Sequence, residues 1–140
     1  MLFRSLGLFL GGPELAAVQE FPWAARAPWR SPGWQYHLAL RPEWQVARAD
    51  GVYRRSTRGR SLEEVGFIHL SSAHQVPATA SRFYADLPAA EVLLLTIDPQ
   101  RLAAAGLEVR LEQADGGELF PHLYGPLPLG AVLRAEPWQR

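Results

Sequence analysis

Residues 91–97 read EVLLLTI, a run that is apolar at five of its seven positions. Such a run predicts a strand that is covered on both faces and lies in the middle of its sheet. Five more segments have the composition or alternation of strands: 34–40, 65–71, 107–113, 118–125 and 131–138. Strands therefore outnumber helices, and the helices do not regularly separate them. We predict an α+β fold rather than a doubly wound α/β fold.

Three short helices are predicted from their start and stop residues. The first follows WQYHLAL and ends at Gly51. The second starts from a capping box made by Ser72 and Gln75. Pro77 lies deeper in that helix than a first-turn proline should, so either the cap is shifted or the first turn is distorted. The third begins at Asp98, a residue type that accepts hydrogen bonds from the first helical amides.

The chain of 140 residues has the length of one ordinary domain. Residues 1–33 contain several prolines and no sustained period of 2 or 3.6, so we predict an irregular N-terminal extension there and a single domain over 34–140. The apolar run at the N-terminus is interrupted by glycines and a proline. It predicts neither a signal peptide nor a membrane span, and a cytoplasmic protein is expected.

Composition excludes several kinds of chemistry. The formal net charge is zero, which argues against nucleic acid as a partner, and there is no cysteine to form a disulfide or act as a nucleophile. All 14 basic residues are arginine, so a Schiff-base lysine and a Walker-type phosphate loop are excluded. Residues 52–61, VYRRSTRGRS, contain four arginines and no acid. We interpret this stretch as a solvated loop rather than a phosphate site.

Three of the four histidines lie in predicted strands, and each shares a strand face with another polar residue. The pairs are His37 with Gln35, His69 with Ser71, and His122 with Tyr124. A single histidine in a strand is most often a partly buried imidazole bonded to backbone. If the three polar faces meet, however, they line a cleft suited to a small molecule.

Sharper mechanisms have little support in the sequence. No G-x-S-x-G pentapeptide is present, so a histidine-assisted hydrolase would depend on Ser71 alone. No HExxH motif is present, and His69 and His74 lack i, i+4 spacing, so no metal site is predicted. Glu118 is the best-placed carboxylate near His122, although a glutamate in a turn is usually only solvated.

Four strings, in order along the chain, carry a resemblance to a known family. They are YHLALRPEWQVARADGVY, SLEEVGFIHLSSAHQVPATASRFY, VLLLTIDPQRL and GGELFPHLYGPLPLGAV. On these strings the chain is identified as a member of the bacterial domain-of-unknown-function family 952 (DUF952), over about residues 35–135. The resemblance implies a fold similar to the ADP-ribosyltransferases, a split, mostly antiparallel β core with a few short helices that binds NAD in a cleft.

The same resemblance implies roles for individual residues. His37 matches a position that holds a ribose, and His69 with Ser71 matches positions that line the nicotinamide side. The third position is usually a glutamate on a late strand. Here that strand offers His122 and Tyr124 instead.

Glu118 lies only at the edge of the late strand. The tRNA 2′-phosphotransferases, which lack that glutamate and use NAD as the acceptor of a phosphate, are therefore a closer analogue. Arg82 and the arginines of 54–60 would then hold phosphates. We therefore expect a protein that binds NAD, or an ADP-ribose or other nucleotide ligand, in a histidine-lined cleft and transfers a glycosyl or phosphoryl group. The alternative is a catalytically silent ligand- or protein-binding module of the same fold.

Overall fold

The computed structural model describes residues 33–114 and 117–139. The extension predicted for residues 1–33 lies outside these ranges except for Gly33. Residues from Trp34 onward form one compact unit. No helix in the described part of the chain is long and apolar enough to cross a membrane.

Over the described residues the fold is mixed, with four short α-helices and ten strands. The helices are α1 Arg41–Asp50, α2 Leu62–Val65, α3 Val76–Tyr84 and α4 Pro99–Ala104. The strands are β1 Gln35–Leu40, β2 Val52–Tyr53, β3 Arg55–Thr57, β4 Arg60–Ser61, β5 Ile68–His69, β6 Val92–Ile97, β7 Glu108–Gln113, β8 Leu119–Tyr124, β9 Leu127–Pro128 and β10 Val132–Pro137. Every strand pair in these sheets is antiparallel, which confirms an α+β class.

The apolar run EVLLLTI forms the middle strand of a three-stranded sheet, in the order β1-β6-β10. All six residues of β6 are buried, as predicted for a strand that is covered on both faces. The register places His37 of β1 opposite Leu95 of β6. Since alternate residues of a strand share a face, His37 lies on the same side of its strand as the buried Ala39.

A second three-stranded sheet has the order β5-β8-β7, and its register places His69 directly opposite His122. The two sheets are joined where Tyr36 of β1 and Ser71, just after β5, exchange two backbone hydrogen bonds of 2.8 Å. The core lies between the sheets and includes buried side chains of both, among them Leu95 and Leu123.

Two sequence predictions are corrected by the structure. Residues 52–61 do not form a loop; they form β2, β3 and β4, and Arg58 in the β3–β4 turn makes a bidentate ion pair with Asp86. The strand predicted over 65–71 is shorter, because α2 extends to Val65 and Gly66 ends it in the left-handed conformation at φ 99°.

The distortion signalled by Pro77 arises from a shifted helix start. A 3₁₀ turn, Ala73–Gln75, comes first, and α3 begins only at Val76, so the proline falls in the first turn of the α-helix. The Gln75 side-chain oxygen accepts a hydrogen bond from the Ser72 amide at 2.9 Å, as the capping box predicts.

Candidate functional site

His37 lies at the junction of the two sheets and is buried. Its Nδ1 lies 2.7 Å from the carbonyl oxygen of His69, which can only accept, so Nδ1 carries the proton and donates it. Its Nε2 lies 2.9 Å from the Tyr53 hydroxyl and accepts that hydrogen bond. Burial lowers the pKa of His37 to about 4, so the ring is neutral at pH 7. Both nitrogens of His37 therefore have partners in this conformation.

His69 is the link between His37 and the second sheet. Its carbonyl binds His37, while its ring lies 5.4 Å from the His122 ring and 5.0 Å from the Phe120 ring, measured between centroids. Burial and the neighbouring His122 lower the pKa of His69 to about 4. Among the described residues, none forms a hydrogen bond with the His69 ring nitrogens. At pH 7 this imidazole is neutral and able to accept or donate a bond to a ligand.

His122 is buried beneath the ring of Phe67, which stacks on it at 3.9 Å with an interplanar angle of 15°. Its Nδ1 lies 2.7 Å from Oε1 of Glu112, to which it donates a hydrogen bond. Its Nε2 is also buried and has no hydrogen-bond partner in the described part of the chain. This hydrogen bond selects the tautomer with its proton on Nδ1 and its lone pair on Nε2.

Glu112 on β7 holds two residues of β8 at once. The Tyr124 hydroxyl donates to the same oxygen, Oε1, at 2.6 Å. These hydrogen bonds from Tyr124 and from His122 hold the pKa of Glu112 below its usual range, so the carboxyl group is ionised near neutral pH. The guanidinium carbon of Arg110 lies 4.3 Å from the centroid of the Tyr124 ring.

The sequence prediction overlooked Glu112 and favoured Glu118. In the structure Glu118 accepts a hydrogen bond from the Gln75 amide at 2.9 Å and pairs with His74 at 3.2 Å. It is Glu112 that contacts His122. The short connection between the segments that form β7 and β8 could have indicated that Glu112 lies near His122. A hairpin there sets Glu112 opposite Phe120 and therefore diagonal to His122.

Ser71 lies near His37 rather than near His122. Its hydroxyl is 3.4 Å from that of Thr79 on α3, and both side chains line a small pocket with His37 and His69. The pocket volume is about 10 Å³, close to the minimum that one water molecule needs.

Arg82 is exposed on α3, with its guanidinium carbon 5.3 Å from the centroid of the neighbouring Phe83 ring. It does not line this pocket. Among the residues that the structure describes, no three histidine, aspartate or glutamate side chains are grouped in a way that could hold a metal ion.

Five side chains project from the side of the second sheet opposite the core, with Glu112 beside them. We call this surface the histidine face; its members are Phe67, His69, Phe120, His122 and Tyr124. All but His122 are partly exposed. The three histidines predicted from the sequence therefore form a continuous series from the sheet junction to this face.

The fold and this cluster define a mixed α and β protein with antiparallel sheets and a histidine-rich site where two sheets meet. A family model described as "Protein of unknown function (DUF952)" matches residues 38–135, which is more than half of the chain. The chain belongs to this family. No match was found among curated proteins.

Solved structures of one bacterial protein are similar to this chain. The crystal structure of protein CC0527 from Caulobacter crescentus is 32% identical, with a TM-score of 0.62, and the alignment covers 73% of this chain and 82% of that one. The solution NMR structure of CC0527 is 31% identical, with a TM-score of 0.58 and coverage of 74% and 83%. The architecture described above is thus similar to an experimentally determined fold.

Proposed function

We propose that this chain is an ADP-ribosyltransferase-like, cytoplasmic protein that binds NAD, or an ADP-ribose or other nucleotide ligand, at the histidine face. The proposal rests on one observation. His37, His69 and His122 come from three distant parts of the chain, yet they form one series of contacts, with a hydrogen bond of 2.7 Å at one step and ring centroids 5.4 Å apart at the next. The resemblance to the transferases assigns ligand contacts to the same positions.

The chemistry of the histidine face suits such a ligand. Partly exposed aromatic rings stack with nicotinamide or adenine, since both are flat π systems. The neutral ring of His69 is able to bind a ribose hydroxyl, and the ionised Glu112 lies close enough to His122 to favour positive charge near it. A glycosyl transfer develops positive charge at the ribose carbon as nicotinamide leaves, so a carboxylate is the group that this reaction requires nearby.

The small volume of the pocket beside Ser71 argues against that pocket as the nucleotide site. That pocket has a volume of about 10 Å³, which is far smaller than a nucleotide, whereas ligand pockets usually measure several hundred Å³. We therefore place the ligand over His69 and Phe120, with Phe67 shifting aside to expose His122.

Thermal unfolding with added ligand tests binding. NAD, ADP-ribose and nicotinamide should each be titrated to millimolar concentration, and a bound ligand raises Tm because it stabilises only the native state. The His69→Ala variant should lose the Tm increase. His74→Ala is the matched control, because His74 is exposed and contacts Glu118 outside the histidine face. An unchanged Tm of the wild-type protein with all three ligands would refute the proposal.

A second candidate, a catalytically silent binding module, is favoured by the state of His37. Both of its nitrogens already have partners, so it has no free group to offer a reacting substrate. The two candidates differ in one measurement, the release of nicotinamide from NAD. A Tm increase without nicotinamide release supports the binding module, and release that depends on His69 supports the transferase.

A further inference from the structure

We infer that His122 is the proton acceptor of the site and that Glu112 is its positioning residue, so that the acceptor substrate is a hydroxyl group of water or of an alcohol. This inference rests on the proposed function and names the second substrate class of the same site. It depends on three observations about one imidazole: the partner of Nδ1, the surroundings of Nε2, and the cover over the ring.

The partner of Nδ1 determines which nitrogen is basic. Glu112 is ionised, and its Oε1 already accepts a hydrogen bond from Tyr124, so this oxygen is a pure acceptor for His122. Nδ1 must then carry the proton. The lone pair lies on Nε2, at the opposite side of the ring from the carboxylate. A carboxylate in this place both orients a histidine base and stabilises the imidazolium that forms when it accepts a proton.

Nε2 of His122 has the unsatisfied hydrogen-bonding capacity expected of an atom that binds a substrate. Buried polar atoms nearly always have a hydrogen-bond partner, and an exception calls for an explanation. Nε2 of His122 is buried without a partner in the described part of the chain, while His37, the structural histidine of the same series, uses both nitrogens. A substrate hydroxyl that donates to Nε2 would satisfy it.

The Phe67 ring stacks on His122 and is itself partly exposed, so it separates the imidazole from solvent. An acceptor must reach Nε2 in the plane of the imidazole, because the lone pair lies in that plane. His122 has a cross-strand neighbour on each side: Arg110 of β7, which is paired with Glu108, and His69 of β5. The pKa of His69, about 4, keeps that ring uncharged. His69 therefore does not repel the imidazolium that His122 becomes.

The reaction step balances without any further reagent. The acceptor oxygen forms a bond to the ribose carbon that bears nicotinamide, and the bond from that carbon to the pyridine nitrogen breaks. The electron pair of the broken bond returns to the ring, so nicotinamide leaves as a neutral molecule. The hydroxyl proton passes to Nε2 of His122, and the imidazolium later releases it to solvent.

Glu112→Gln is the test, because the Tyr124 hydroxyl continues to donate to the side-chain oxygen and so keeps the amide in the same orientation. Nicotinamide release should be followed as a function of NAD concentration, so that kcat and KM are obtained separately. We expect kcat to fall about 100-fold with KM little changed, because general-base catalysis typically contributes 10²–10⁴-fold. Glu108→Gln is the control, because Glu108 lies on the same strand and, among the described residues, its carboxylate pairs with Arg110 and not with His122.

The outcomes separate the two proposals. If the wild-type protein releases nicotinamide and Glu112→Gln keeps its kcat, the inference is wrong while the proposed function stands. If the wild-type protein releases none, the transferase and this inference both fail. Nitrogen-15 NMR of the histidine rings adds a test without ligand: a proton found on Nε2 of His122 in the free protein would overturn the assignment of the base.

Discussion

Mild acid should destabilise this fold, and the two histidines at the sheet junction set the size of the effect. In the unfolded chain His37 and His69 take up a proton near their ordinary pKa of 6.5, whereas in the native protein each has a pKa of about 4. Between these values the unfolded state binds more protons than the native state. Unfolding is therefore favoured as the pH falls, and the stability is fully present only above the ordinary pKa.

The magnitude follows from the two pKa values. A histidine with a pKa of about 6.5 unfolded and about 4 folded loses about 2 kcal/mol of stability between pH 7 and pH 5, and about 3 kcal/mol by pH 4. His37 is fully buried and should show the whole effect, while His69 is partly exposed and should show less. Together they remove up to about 4 kcal/mol at pH 5, a large part of the 5–15 kcal/mol typical of a domain.

Urea unfolding at pH 7, 6 and 5, followed by tryptophan fluorescence, measures the loss directly. The His37→Gln variant should be less stable than the wild type at pH 7, because the hydrogen bonds of the imidazole to the His69 carbonyl and the Tyr53 hydroxyl are lost. Its stability should, however, fall by about 2 kcal/mol less on acidification. The His74→Gln variant removes an exposed histidine instead. It should still lose the stability that depends on His37 when the pH falls. Equal stability of the wild type at pH 7 and pH 5, or an unchanged pH dependence in His37→Gln, would refute the reasoning.

Three further predictions concern the packing that supports the site. Leu95→Ala, at the fully buried centre of β6, should cost about 2–5 kcal/mol in urea unfolding, whereas Leu111→Ala, at an exposed position, should cost no more than about 0.5 kcal/mol. Tyr53→Phe removes the donor to Nε2 of His37 and should cost about 1–3 kcal/mol, with a native circular dichroism spectrum. Gly125→Ala should lower Tm more than Gly51→Ala, because both have positive φ but only the first places a new Cβ 2.5 Å from a side-chain atom of Leu107.

Features that depend on neighbouring residues in the chain were predictable. The helix end at Gly51 and the helix start at Asp98 follow from local backbone chemistry, and the structure has both. The shifted start of α3 was one of the two alternatives that Pro77 indicated. The loop predicted for residues 52–61 was wrong, because the strands there are only two or three residues long, too short to show a period in the sequence. One of them, β2, pairs with the distant β9, while β3 and β4 pair with each other.

Features of the site that depend on strand order were not predictable in the same way. The three histidines were identified as a group, but their contacts were not. Tyr53 lies 16 residues from His37 in sequence, and the His69 carbonyl that His37 binds lies 32 residues away. Glu112 was overlooked because Glu118 is nearer to His122 along the chain, while the β7–β8 pairing brings Glu112 nearer in space.

The sequence by itself determined the six strands of the two three-stranded sheets, most of the helix ends, the buried central position of EVLLLTI and the residue types available for chemistry. These follow from periodicity, capping and composition, which are local properties of the chain. The tertiary structure decided which histidine is structural and which has a free nitrogen. That distinction depends on the hydrogen-bond partners and the burial of each ring, and both are set only when segments far apart in sequence pack against each other.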